Sequence, residues 1–217
     1  MMSKVIEAVI FDMDGVIIDS EPLWKRAEYE IFSSLGVNVA SEYAEITKYM
    51  TTGEVTRFWY EKSPWKNVSL QSVEQKVINY VGRLIETDGA EIRGAKSVLE
   101  KIKLCGYKIG LATNSPCSII PMVFNKLDIA HFFDAISSAE NEVKGKPDPS
   151  IYLTTAQKLA IQPQQCVVFE DSYSGVLAAK NAGMRVIALT NEKNRAKLGI
   201  ADVLIDGFEN FDLSILN

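Results

Sequence analysis

The sequence predicts an α/β fold: a parallel sheet with crossover helices, interrupted near its start by a helical insertion. Three observations carry this. An apolar, β-branched run over residues 5–11 ends abruptly in two carboxylates, Asp12 and Asp14, with Gly15 directly after. From there to about Glu86 only helix-spaced patterns occur. Beyond Ala90, strand-like and helix-like segments alternate, as in a parallel sheet with crossovers. At 217 residues the chain is long for one compact domain and short for two, so one domain with an insertion fits.

Composition narrows the classes. With 47% hydrophobic and 24% charged residues, the chain can bury an ordinary globular core. A net charge of −5 leaves no basic excess to neutralise phosphates, which argues against a nucleic-acid partner. No apolar run reaches membrane-spanning length. Cys105, Cys117 and Cys166 are odd in number and lack CxxC spacing, so packed thiols are expected rather than disulfides or zinc. Only Lys4 precedes the first apolar run, which does not read as a signal peptide. The expectation is a reduced, cytoplasmic monomer with no membrane partner.

The elements follow in order. Residues 5–11 form a buried strand. Asp19 or Ser20 caps a helix with Pro22 in its first turn, Leu23, Ala27, Ile31 and Leu35 on its apolar face, and Gly36 as its stop. Helices are expected over 41–50, 53–61 and 69–86, with a loop through Pro64 and Trp65. Residues 87–90 return the chain. A helix from Ala95 to Cys105 stops at Gly106. Strand 107–112 closes in Thr113-Asn114-Ser115-Pro116, where Ser115 is expected to cap a helix reaching Leu127. A short strand 135–137 precedes the loop Lys144-Gly-Lys146-Pro-Asp-Pro149, which opens a helix. Strand 166–169 ends in Glu170-Asp171-Ser172. Helix 176–182 stops at Gly183, and strands 185–189 and 202–205 complete the pattern.

Three strands thus end in chemistry: Asp12 with Asp14, Thr113, and Glu170 with Asp171, while a loop adds Lys146. In a parallel sheet these ends share one edge, where ligands bind. A DxD alone reads as readily as two solvent-facing acids. Together with the other groups, it suits a nucleophilic carboxylate beside a proton-transfer carboxylate. Acids from two strands suit one hard cation, and magnesium takes oxygen ligands and keeps room for a phosphate. Thr113 offers a hydroxyl, the helix expected after it offers backbone N–H groups, and Lys146 offers a positive charge to an anion.

The segments Asp12-Met-Asp14-Gly15, Leu111-Ala-Thr113-Asn-Ser115, Lys144-Gly-Lys146-Pro-Asp-Pro149 and Phe169-Glu170-Asp171-Ser172 resemble the four motifs of the haloacid dehalogenase superfamily. Order and spacing match over nearly the whole chain, and the insertion resembles the cap of the β-phosphoglucomutase-like subgroup. The resemblance implies a Rossmann-like parallel-sheet core, 1–18 and 88–217, with a helical-bundle cap at 19–87. It implies that Asp12 forms a phosphoaspartate and that Asp14 serves as acid and then base. It implies that Thr113, Asn114 and Lys146 hold the phosphoryl group. Magnesium would be held by Asp12, the backbone carbonyl of Asp14, Glu170 and Asp171.

The subgroup contains sugar phosphatases and β-phosphoglucomutase. Mutases carry a histidine in the first cap helix, where this chain has Trp24, which cannot do histidine's proton work. The lysine that grips a distal phosphate is replaced by Pro116. The cap arginine is not evident in Lys48-Tyr-Met-Thr-Thr-Gly53, and Arg57 lies at another offset. Hydrolysis of a small sugar phosphate is therefore expected, with β-phosphoglucomutase as the alternative. The segment Asp19–Ala27, with Trp59 and Trp65, resembles the bacterial hexose- and hexitol-phosphate phosphatases. Trp24, Trp59 and Trp65 are expected in the cap core. Glu21 and Lys25 are expected to face the crevice, and His131 to be structural. A phosphoryl-storing receiver module has no place for Asp14 or the insertion. A dehalogenase proper would not gather Asp14, Glu170 and Asp171 near its nucleophile.

Overall fold

A computed structural model describes residues 5–47, 50–209 and 211–216. Six strands form one parallel sheet: β1 (Ala8–Phe11), β2 (Lys108–Thr113), β3 (Ala135–Ser138), β4 (Cys166–Glu170), β5 (Arg185–Leu189) and β6 (Val203–Ile205), in the order β3-β2-β1-β4-β5-β6. The chain winds outward from β1 first through β2 and β3, then resumes on the other side through β4. The order therefore reverses at β1, and a crevice opens at the carboxyl ends there.

Alternation along each strand splits the core in two. Val9 and Phe11 of β1, Leu111 of β2 and Phe169 of β4 face one layer. Ala8, Ile10, Ala112 and Val168 face the other. Both faces are covered, which is why the strands read as unbroken apolar runs rather than alternating ones. The rings of Phe11 and Phe169 stack at 4.9 Å across β1 and β4. Helices α5 (Ala95–Leu104) and α6 (Ile120–Leu127) pack on the first face, and α7 (Ser150–Leu159) and α8 (Tyr173–Asn181) on the second.

Between β1 and α5 lie α1 (Glu21–Ser34), α2 (Ala44–Thr47), α3 (Thr52–Lys62) and α4 (Leu70–Asp88). Two short linkers join them to the sheet and pair antiparallel: Asp19 N–H donates to the Ala90 carbonyl at 2.9 Å, and Ile92 N–H to the Ile17 carbonyl at 2.9 Å. Helix α4 passes close to α6 at Gly82, where a Cβ would lie 2.4 Å from the Met122 sulfur. Trp59 and Trp65 are buried beside Phe32, as packed core residues. Trp24 is only partly buried.

Several expectations need correction. The segment 41–50 is broken into a 3₁₀ turn and the short α2, while Lys48 and Tyr49, like Lys4, lie outside the described residues. Ser115 caps no helix: the chain turns through Pro116–Ile119 and α6 starts at Ile120, with Pro121 in its first turn. The reason is competition. The Ser115 hydroxyl is drawn to Asp14 at 2.7 Å, and the Cys117 N–H is taken by the Glu140 carboxylate at 2.7 Å. Ser20 heads α1 but makes no side-chain cap, because its hydroxyl also goes to Asp14. Of the thiols, Cys166 is buried, but Cys105 is exposed at the C-terminal end of α5 and Cys117 is intermediate.

Candidate active site

Asp12 extends β1 by one rung, its N–H donating to the Phe169 carbonyl at 3.0 Å. Its side chain then leaves the sheet edge and accepts from Lys146 Nζ at 2.7 Å. The ammonium has three protons and places all of them: Asp12, Glu170 Oε1 at 2.7 Å, and the Ala112 carbonyl at 2.9 Å. Asn114 positions the loop that brings it, its Oδ1 accepting the Lys146 N–H at 3.0 Å.

Glu170 is fully buried. Its Oε1 also accepts from the Tyr152 hydroxyl at 2.7 Å, and its Oε2 from the N–H of Asp171 at 3.0 Å and of Ser172 at 3.1 Å and from the Ser172 hydroxyl at 3.0 Å. Gly175 makes this possible, since a Cβ there would sit 1.7 Å from Glu170 Oε1. The Asp171 carboxylate lies against Gly15, whose φ of +75° turns the chain and whose missing Cβ would otherwise come within 2.3 Å of it.

Asp12, Glu170 and Asp171 each present an oxygen within 4.8 Å of the others. Asp14 does not join them; its carboxylate faces another set of partners. Oδ1 accepts from the Ser20 hydroxyl and from Trp24 Nε1 at 3.2 Å. Oδ2 accepts from the hydroxyls of Ser115 at 2.7 Å and Thr113 at 3.2 Å. Thr113 in turn accepts the Ser115 N–H at 3.0 Å. The α6 N-terminus expected beside Thr113 is displaced to Ile120, so it does not flank the site.

Electrostatics separate the two aspartates' neighbourhoods. Burial pushes the Asp12 carboxyl well above the usual range. Lys146 pulls it down, while Glu170, Asp14 and Asp171 push it up again. Burial would raise Glu170 too, but Lys146, Tyr152 and the Ser172 N–H outweigh it and hold Glu170 low. Burial would lower Lys146, yet Asp12 and Glu170 hold it above its ordinary value. Four carboxylates against one ammonium leave the pocket short of positive charge. Its donors are all oxygens, which fits a hard divalent cation of the magnesium class.

A cavity of about 750 Å³ opens over these groups. Asp12, Asp14, Asn114, Lys146 and Asp171 form its floor, and Trp24, Glu28, Thr51 and Trp59 of the insertion form its walls. Glu21 and Lys25 line it as expected, but they bond each other at 2.6 Å. His131 sits away from it, its ring 4.0 Å from that of Phe132. Ser20, Ser115, Tyr152, Ser172 and the Trp24 N–H were not legible as site groups. The i, i+4 spacing of Ser20 and Trp24 was the available signal, since it puts both on one face of α1. Nothing in the pattern marked Tyr152.

The sequence profile of haloacid dehalogenase-like hydrolases matches residues 9–189. The chain belongs to that family. Among relatives of this haloacid dehalogenase-like hydrolase, Hexitol phosphatase B of Escherichia coli is 38% identical over 91% of this chain and 90% of its own. The Phosphorylated carbohydrates phosphatase of Thermotoga maritima is 34% identical over 88% and 89%. The crystal structure of β-phosphoglucomutase from Clostridium difficile superposes with a TM-score of 0.84 at 28% identity, covering 98% of this chain and 96% of that one. The parallel α/β architecture read from the sequence is thus the family's own.

Proposed function

We propose that the protein is a magnesium-dependent phosphatase that hydrolyses small hexose or hexitol phosphates through a phosphoaspartate. The observation that carries this reading is the division of labour between two aspartates two residues apart. Asp12 faces Lys146 and the acid cluster, whereas Asp14 is cradled by three hydroxyls and an indole N–H. The names of the two phosphatase relatives supply the substrate class.

Asp12 attacks phosphorus and the bond to the sugar oxygen breaks. Asp14, protonated, gives its proton to that leaving oxygen. Asp14 then takes a proton from a water that attacks the aspartyl phosphate, releasing phosphate and restoring Asp12. Hydroxyl partners suit this dual role, because each can rotate to donate or accept as Asp14 changes state, while Trp24 only donates. Lys146 stabilises charge on the transferring group from the Asp12 side, and Thr113 and Asn114 hold its oxygens from the β2 side. Asp12, the Asp14 carbonyl, Glu170 and Asp171 would hold magnesium. Glu170, whose oxygens accept five bonds, also orients Lys146 and the loop carrying Asp171. When bound, the metal supplies Lewis-acid screening of the phosphate charge.

Residues 19–87 serve as a cap on a core of 1–18 and 88–217, with the paired linkers as the hinge. The enzyme works as a cytoplasmic monomer, and its partner is a small phosphorylated sugar rather than nucleic acid or membrane. Free thiols at Cys105, Cys117 and Cys166 fit a reducing compartment. Elution at 24.1 kDa in size-exclusion chromatography is the expected result for the monomer.

The likeness to β-phosphoglucomutase favours a second reading, interconversion of β-glucose 1-phosphate and glucose 6-phosphate. Phosphorus NMR with magnesium separates the two. Inorganic phosphate accumulating from 2-deoxyglucose 6-phosphate supports the phosphatase. Glucose 6-phosphate forming from β-glucose 1-phosphate with a trace of glucose 1,6-bisphosphate would establish the mutase instead.

A further inference from the structure

Helix α1 presents Ser20, Trp24 and Glu28 at successive i, i+4 positions, and all three line the cavity. Ser20 and Trp24 are the two that bond Asp14. Glu28 is one turn farther out, about 6 Å along the axis. It is partly buried, among walls that include Trp24, Val39, Met50 and Trp59. Several polar side chains of these walls are engaged, whereas Trp59 Nε1 is buried without a partner among the described residues. Lys25 bonds Glu21 at 2.6 Å, Arg26 bonds Asp88 at 3.2 Å, Thr47 donates to the Tyr43 carbonyl and Thr51 to Glu54. Among the described residues the Glu28 carboxyl makes no hydrogen bond.

An acid so placed is costly unless something supplies donors. Burial pushes it up to about 7, with Lys25 pulling weakly the other way. We infer that Glu28 is a specificity-determining residue that hydrogen-bonds the distal hydroxyls of a polyhydroxylated monophosphate and disfavours substrates carrying a second phosphate. The inference rests on the phosphatase reading above and adds to it the chemistry of the substrate's far end. One helical turn separates the residue touching the proton-transfer carboxyl from the acid, a span comparable to a six-carbon chain. A carboxylate accepts from hydroxyls, a carboxylic acid both accepts and donates, and either pairs with a polyol. A second phosphate at this end would face an acid and find Lys25 and Arg26 already paired.

The test compares wild type, Glu28→Ala and Glu28→Gln on sorbitol 6-phosphate, p-nitrophenyl phosphate and fructose 1,6-bisphosphate. In Glu28→Ala the ratio of kcat/KM for sorbitol 6-phosphate over p-nitrophenyl phosphate should fall about tenfold, mostly through KM. In both variants the ratio for the bisphosphate over sorbitol 6-phosphate should rise. Glu28→Gln keeps the side-chain volume and carries the second comparison if the alanine variant does not fold. Ratios that stay within about twofold of wild type would overturn the inference while leaving the phosphatase intact. Wild type that hydrolyses none of the three would remove both. A wild-type preference for glucosamine 6-phosphate over 2-deoxyglucose 6-phosphate that Glu28→Gln abolishes would also overturn it, by assigning Glu28 to an ammonium.

Discussion

At the scale of single residues, the two aspartates make different predictions. Asp12→Asn should lower turnover on the order of 10⁴-fold or more with the fold intact, measured as phosphate release alongside circular dichroism. Trp24→Phe keeps an aromatic side chain but removes the pyrrole ring and with it the N–H that Asp14 accepts at 3.2 Å. A lost neutral bond of about 1 kcal/mol should lower kcat several-fold with little change in KM and alter the pH profile of kcat. A purely structural role would leave that profile alone. Glu28 predicts a stability effect with a definite sign. Its carboxyl is raised from 4.5 to about 7, so the native state holds this proton more tightly than the unfolded chain. Stability contributed at low pH is therefore lost as pH rises from about 4.5 to about 7. Glu28→Gln should be more stable than wild type above pH 7, by at most about 3 kcal/mol, and so melt higher, and the gap should close below 4.5. Equal melting temperatures at pH 8 would refute this.

At the scale of elements, the strands were legible because both sheet faces are covered, so 5–11, 107–112 and 166–169 stand out as apolar runs ended by polar groups. The acids and Lys146 were legible because each sits where a strand or loop must meet the crevice. What the pattern could not show was competition for hydroxyls. Ser20 and Ser115 look like caps, yet both hydroxyls go to Asp14, from six residues away for Ser20 and from 101 residues away for Ser115. Trp24 read as apolar cap core because periodicity weighs the ring and not the N–H. Helix α8 carries the element-scale prediction. Gly175→Ala would drive a methyl into Glu170, costing about 1–3 kcal/mol by overpacking and loosening the Lys146 tie. Its melting temperature should drop by several degrees and its activity should fall with it. Unchanged melting would show that α8 shifts freely.

At the scale of the whole molecule, the insertion touches the sheet and its helices through the paired linkers, the α4–α6 contact at Gly82, the Lys126 bonds to the Glu86 and Thr87 carbonyls, and α1 over the site. Among the described hydrogen bonds, those of Ser20 and Trp24 to Asp14 are the ones that cross the cavity. A swing about the linkers would break the Ser20 and Trp24 bonds to Asp14 and leave the Thr113 and Ser115 bonds in place. Small-angle scattering with and without a phosphate analogue such as beryllium fluoride plus magnesium should show compaction on binding. Identical profiles would argue for one fixed cap. Chelation should abolish hydrolysis, because the acids around Asp12 otherwise repel the incoming phosphate.

The placement of Ser20, Trp24 and Glu28 on one rigid helix has a kinetic corollary. Whatever fills the outer end of the cavity pulls on the same lever that steadies the acid at the inner end. A phosphate ester with a well-matched tail should therefore gain in turnover as well as in affinity, since remote contacts are converted into alignment at the reacting centre. Water or inorganic phosphate alone, having no tail, gets no such help, and the lever becomes a check on idle chemistry.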